Sequence, residues 1–196
     1  MATMYSLFFG VLFVTALFLG GFSHPAVARK IVGNQPRSLA IGARSEDGEP
    51  IASVRERIMD IAVGEIGVRE ARNNNDGARV EEYLAYTGLG KGYAWCAAFV
   101  SWCYGKAGRT APRNAWSPAL FPMARRYTGQ QVREGSVRPA DLFAIYNQQL
   151  GRINHVGIVR KREGNWLLTV EGNVDNRVLS KRRSIATIYA FSNWLD

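Results

Sequence analysis

Tyr93-Ala94-Trp95-Cys96-Ala97-Ala98-Phe99-Val100-Ser101-Trp102 is the stretch on which the fold turns. Gly88, Gly90 and Gly92 keep its approach non-helical, and Ala97 to Tyr104 is rich in helix-compatible apolar residues, so a helix begins close to Cys96. Unpaired N–H groups and the positive end of a helix dipole stabilise a thiolate, the form of cysteine that acts as a nucleophile. Cys96 is therefore the candidate nucleophile. Cys103 is the other cysteine. Seven residues along a helix is about 10 Å at roughly 1.5 Å per residue, too far for a disulfide, which needs Cα atoms within about 7 Å. The same spacing returns Cys103 to nearly the same helical face, two turns deeper, as packing.

Working outward toward the N-terminus, Arg79 to Tyr86 reads as a short helix with Val80, Tyr83 and Leu84 inward, preceded by the turn signal Asn73-Asn74-Asn75-Asp76-Gly77. Ile51, Val54, Ile58, Ile61, Ala62 and Ile66 follow the 3 and 4 spacing of one helical face, with Arg55, Glu56 and Asp60 away from it and Gly67 as a stop. Residues 29–50 mix Asn, Pro, Ser, Gly and charges without a period and read as a flexible linker. Residues 1–28 contain no Asp, Glu, Lys or Arg; the apolar run Leu7 to Phe22 and the small-residue end Ala26-Val27-Ala28 read as a signal peptide cleaved after Ala28. The protein is then secreted or periplasmic, with membrane contact only if that segment is uncleaved. Residues 51–196 are expected to form one domain.

Toward the C-terminus, Trp116-Ser117-Pro118 offers a Ser cap and a Pro at the first helical position, but Pro122 limits the helix to little more than a turn. The period then changes. Leu142 to Tyr146, Asn154 to Arg160, Trp166 to Glu171, Arg177 to Ser180 and Ala186 to Phe191 read as short strands between Gly, Asn and charged turns, so the fold class is α+β, helices first and an antiparallel β-sheet second.

His155 is the only histidine of residues 29–196 and the only candidate partner for Cys96. A hairpin centred near Glu163-Gly164 sets His155 opposite the neighbourhood of Gly172, so Glu171 and Asn173, on one face, flank it as polar partners for the imidazole. A thiolate, an imidazole that moves its proton and an oxygen that holds the other ring nitrogen make a cysteine hydrolase. One such histidine and two helical cysteines cannot furnish a zinc set, so no metal and no cofactor are expected.

The net charge of +9 falls wholly on residues 29–196. Charge of this size attracts anionic envelope polymers, lipid or nucleic acid without choosing among them. Arg160-Lys161-Arg162 and Lys181-Arg182-Arg183 lack a nucleic-acid motif around them and read as solvated surface, so no nucleic-acid partner is expected.

Ala94 to Trp102, His155-Val156-Gly157-Ile158-Val159 and Glu171-Gly172-Asn173, in this order, resemble the CHAP family, the cysteine, histidine-dependent amidohydrolases/peptidases related to NlpC-like cell-wall hydrolases. The resemblance spans roughly Ile51 to Phe191. It implies a papain-like fold and hydrolysis of peptidoglycan amide bonds, as N-acetylmuramoyl-L-alanine amidase or endopeptidase, with Cys96 as nucleophile, His155 as base and then acid, Glu171 orienting it and Asn173 assisting. It also implies peptidoglycan as partner, with an immunity or inhibitor protein as a further candidate. Gly90-Lys91-Gly92-Tyr93 lacks the polar residue the family often carries there, which leaves the Cys96 backbone N–H as the oxyanion donor. Ala140 replaces the glycine of the family's Pro-Gly-Asp segment, where Asp141 anchors backbone. Tyr93, Trp95 and Trp116 are the candidate substrate-binding aromatics. Two alternatives use the same fold: a non-catalytic wall-binding module with these aromatics lining its groove, and a transglutaminase-type acyl transferase.

Overall fold

Apolar residues at helical spacing, followed by a glycine, build the first element, α1 (Ile51–Gly64), whose Ile51, Val54, Ile58 and Ala62 are buried. The computed structural model describes Arg44 and residues 48–196, all within one unit, Leu39–Asp196. The expected signal peptide and most of the expected linker lie outside the described residues. Two further helices follow α1: α2 (Ala78–Tyr86), which buries Val80, Tyr83 and Leu84, and α3 (Cys96–Lys106). Short 3-10 turns at Ser117–Leu120 and Met123–Arg125 and the one-turn helix α4 (Gly129–Arg133) lead into the strands.

Five strands, β1 (Leu142–Asn147), β2 (Arg152–Glu163), β3 (Trp166–Val174), β4 (Arg177–Ser184) and β5 (Ala190–Ser192), form an antiparallel sheet in the order β4-β3-β2-β1-β5. This is the expected α+β arrangement of N-terminal helices packed on an antiparallel sheet. The fifth strand is shorter and later than its sequence pattern suggests, because Ile185–Thr187 close a 3-10 turn and only Ala190–Ser192 pair with β1.

α3 is buried on nearly all sides, from Cys96 to Tyr104, and packs on β2 and β3. Gly172 makes that approach possible: a Cβ there would lie 2.8 Å from Phe99 Cβ and from Trp95 Cζ3. Leu142, Ala144, Val156, Ile158 and Val170 belong to the main core with the helices, whereas Phe143, Val159, Leu167 and Phe191 form a second cluster, as strand alternation requires. Arg55 departs from its expected exposed place. It is buried, and its guanidinium donates 2.8 Å to Asp141 Oδ1, while Asp141 Oδ2 accepts the Arg138 backbone N–H at 2.7 Å. Asp141 thereby fixes α1 to the start of β1. Among the described residues, no helix is long and apolar enough to cross a membrane.

Candidate active site

Cys96 is the first residue of α3, so its thiol stands at the positive end of a helix. The loop before it is anchored from an unexpected quarter. Gly92, at φ +94, donates its N–H to the Asn75 carbonyl at 2.9 Å. Asn75 N–H donates to Glu70 Oε2 at 2.9 Å, and Glu70 Oε1 accepts the Trp95 indole N–H at 2.8 Å. The Asn-rich turn is thus more than a helix connection: it braces the cysteine loop through a buried carboxylate. Trp95 itself is fully buried, its ring 5.7 Å from that of Tyr83, and so cannot line a groove. That corrects its expected substrate-binding role, since its polar atom is consumed by Glu70 and its faces by core.

The imidazole comes from β2. The pairing of β1 with β2 shifts between Ile145 and Tyr146, leaving Asn154 as a bulge just before His155. His155 Nε2 lies 2.8 Å from Glu171 Oε2 on β3. With Nε2 engaged, Nδ1 is the nitrogen left to face Cys96, the thiol with which this ring is electrostatically paired. Gly157 makes the cross-strand contact possible. A Cβ there would sit 2.8 Å from Glu171 Cγ and 2.7 Å from the Phe143 ring, so the bare backbone is the lane through which the glutamate side chain reaches His155. The sequence left Glu171 and Asn173 as alternatives, and the imidazole's partner is Glu171. Asn173 sits at φ +58 where the β3–β4 register shifts, off the regular alternation.

Glu171 is fully buried and held from three sides. Arg183 on β4 grips it bidentately, Nε to Oε1 at 2.6 Å and Nη2 to Oε2 at 2.5 Å, and the Thr169 hydroxyl donates to Oε1 at 2.5 Å. Arg183 was expected to belong to a solvated basic run. Alternation along β4 separates the run: Arg182 stacks its guanidinium 4.1 Å from the Trp166 ring centre, while Arg183 faces the carboxylate. That alternation was the available signal.

Charge follows geometry. Burial pushes the Glu171 carboxyl up, but Arg183, His155 and Thr169 outweigh it and hold the group at about 2. Burial opposes charge on His155, yet its bonds to Cys96 and Glu171 raise it to about 9. Burial would likewise raise the Cys96 thiol; His155, the Ser117 hydroxyl at 3.4 Å and the Val156 backbone amide bring it below the ordinary thiol value. The three groups therefore favour a thiolate–imidazolium pair backed by a carboxylate. Cys103, fully buried without such donors, is pushed well above that value. Ser117, expected as a helix cap, instead spends its hydroxyl on Cys96; Trp116 holds the N-cap position and no side chain caps the turn.

Around the thiol lies a cleft of about 280 Å³, lined by Leu89, Tyr93, Trp116, Ser117, Arg152 and Asn154 among others. Tyr93 and Trp116 are 58% and 59% exposed, which keeps both as walls available to a ligand. A larger hollow of about 690 Å³ runs along Ile51, Met59 and Val63 of α1, but neither Cys96 nor His155 lines it. Among the described residues, no group of three or more His, Cys, Asp or Glu side chains is placed to hold a metal ion.

Residues 88–173 match the family model of the CHAP domain, an interval that contains Cys96, His155, Glu171 and Asn173. No curated protein matches the chain. Similar solved structures include the peptidoglycan hydrolase RipB from Mycobacterium tuberculosis, 14% identical with a TM-score of 0.48, covering 74% of this chain and 67% of that one. The Resuscitation Promoting Factor Interacting protein RipA is 16% identical, TM-score 0.49, covering 79% and 70%. An NLP/P60-family protein, described as similar to lipoprotein, from Staphylococcus aureus subsp. aureus Mu50 is 14% identical, TM-score 0.47. That match covers 80% of this chain and 45% of the staphylococcal one, so this chain spans less than half of its length.

Proposed function

Taking the CHAP-domain match over residues 88–173 as premise, we propose that this protein is an exported cysteine hydrolase of peptidoglycan amide bonds, an N-acetylmuramoyl-L-alanine amidase or a stem-peptide endopeptidase. The observation that carries the reading is the hydrogen-bonded relay His155–Glu171–Arg183 beside a helix-start thiol, Cys96, that lines a cleft and is lowered by that histidine. A protein that only bound wall polymer would have no use for a thiol held below its ordinary value.

In the proposed reaction the Cys96 thiolate attacks the scissile carbonyl carbon and the carbonyl electron pair moves onto oxygen. The Cys96 backbone N–H, free of the helical ladder at the first position of α3, receives that oxyanion. The His155 imidazolium gives its proton to the departing amine nitrogen, leaving a thioester on Cys96. Neutral His155 then takes a proton from water as the water oxygen attacks the thioester; collapse releases a carboxylic acid product and restores thiolate and imidazolium. Glu171 holds the ring in one orientation and stabilises its positive charge, and Arg183 fixes Glu171.

The test is mass spectrometry of purified sacculi digested with the chain lacking residues 1–28. New amine and carboxyl termini are expected, and they name the bond. Cys96→Ala and His155→Ala are each expected to abolish the products while leaving sedimentation with sacculi intact. New cross-links in place of new termini would show the transferase, and undiminished products from Cys96→Ala would overturn the nucleophile.

A further inference from the structure

Among the described residues, Arg152 is the one basic side chain that lines the cleft around Cys96, and no Asp or Glu lines it. It is exposed, and among the described residues its hydrogen bonding amounts to a 3.3 Å contact from Nη1 to the carbonyl of its neighbour Ile153, with no carboxylate at ion-pair distance. Arg55 and Arg183, by contrast, are largely buried and neutralised by carboxylates, Asp141 and Glu171. A guanidinium left open in a cleft presents a planar fork matched to a carboxylate.

Its position relative to the chemistry is set by the strand. Arg152 lies three residues before His155 on β2, about 10 Å at roughly 3.3 Å per residue, which is the span of two or three residues of a bound peptide stem. The bulge at Asn154 lies between them, and the Asn154 side chain lines the same cleft beside Arg152, adding an amide that can donate to the same ligand oxygen. Trp116 and Tyr93 supply the apolar walls.

Resting on the hydrolase reading above, we propose that Arg152, with Asn154, is a subsite for a free carboxylate of the peptidoglycan stem, so that the enzyme discriminates against stems in which this carboxylate is amidated. Stem peptides offer the group from two sources, the α-carboxylate of a γ-linked D-glutamate and the side-chain carboxylate of a diamino dicarboxylic acid at the next position. Amidation replaces a charged bidentate acceptor by a group with one acceptor oxygen and a donor aimed at the guanidinium.

Binding and cleavage are measured separately. In a Cys96→Ala background, calorimetry at physiological salt with synthetic stem peptides carrying both carboxylates, either one amidated, or both amidated is expected to show about tenfold or greater loss of affinity on amidating one particular position, the size of a lost charge-assisted hydrogen bond. Arg152→Gln in that background is expected to erase the difference and Arg152→Lys to recover part of it. Lys161→Gln, at the far end of β2 beside Glu163, leaves it unchanged and so excludes general attraction to a basic surface. Equal affinity for all four peptides, no binding of any, or a preference that survives Arg152→Gln would overturn the subsite. Hydrolysis of the same peptides by the chain with Cys96 intact tests the other reading by itself: no cleavage of any peptide refutes the hydrolase, whatever the binding series shows.

Discussion

Replacing Arg183 by Met removes the cation that grips Glu171 while keeping comparable side-chain bulk. The carboxylate left behind is fully buried, with an ordinary value of 4.5 that this site lowers to about 2. At 1.36 kcal/mol per pKa unit, that depression corresponds to about 3 kcal/mol of folding free energy, to which Arg183 contributes together with His155 and Thr169. The sign follows from linkage: a carboxyl depressed in the folded state contributes stability above about 4.5 and loses it as pH falls toward 2. Urea unfolding of wild type and Arg183→Met at pH 7 should thus differ by about 1–3 kcal/mol, or on the order of 0.5–1.5 M in midpoint, and the difference should shrink steadily between pH 4.5 and pH 2. Other titrating carboxyls act on both proteins alike and cancel. A variant as stable as wild type at pH 7, or a difference that does not depend on pH, would refute the argument that Arg183 is what keeps Glu171 ionised. The activity of the same variant should also fall, because His155 loses the fixed charge that orients it.

Gly157→Ala inserts a methyl group 2.7 Å from the Phe143 ring and 2.8 Å from Glu171 Cγ, neither of which has room to retreat. It should cost about 1–3 kcal/mol of stability and lower kcat more than it raises KM, and an unchanged kcat in steady-state assays would contradict the lane described above. For pH, the His155 value is raised from 6.5 to about 9, so the imidazolium and the stability it lends are fully present below about 6.5 and are lost as pH rises through about 9. The kcat/KM profile for a soluble muropeptide should accordingly hold to high pH and fall with one proton near 9, whereas a fall centred near 6.5 would mean that Cys96 and Glu171 do not act on the ring.

How far the sequence carries these conclusions depends on the kind of signal. The helices were legible because their apolar spacing and flanking glycines are local, and Cys96 was legible because a helix start after a glycine-rich loop is local too. His155 needed no geometry, being the one histidine after residue 28. Arg55, Glu70, Ser117 and Arg152 were not legible, because each gains its meaning from residues distant in the chain: Asp141, Trp95, Cys96 and, for Arg152, the cleft it shares with Cys96. Arg183 lay between these cases. Its basic run looked solvated as a block, and only alternation about the pairing of Leu167 with Arg183 puts it on the carboxylate's face.

The choice between Glu171 and Asn173 shows the limit most sharply, since simple register arithmetic favours the wrong one. The hairpin turns at Gly164-Asn165, pairing Glu163 with Trp166, rather than at Glu163-Gly164. A bulge at Arg160 then shifts the ladder by one, so that Val159 pairs with Thr169 and Ile158 with Val170. Continued without interruption, that register would put His155 directly across from Asn173 and Gly157 across from Glu171. Two local facts reverse the outcome. Asn173 is at positive φ in an irregular stretch, which takes its side chain off the pleat. Gly157 carries no side chain, so Glu171, opposite it, can cross the vacant position diagonally to the imidazole, a reach that long side chains make between diagonal neighbours. The identity of the third member is thus decided by the residue that is missing a side chain, and a Gly157→Ala protein that kept the His155–Glu171 contact would show this account of the choice to be wrong.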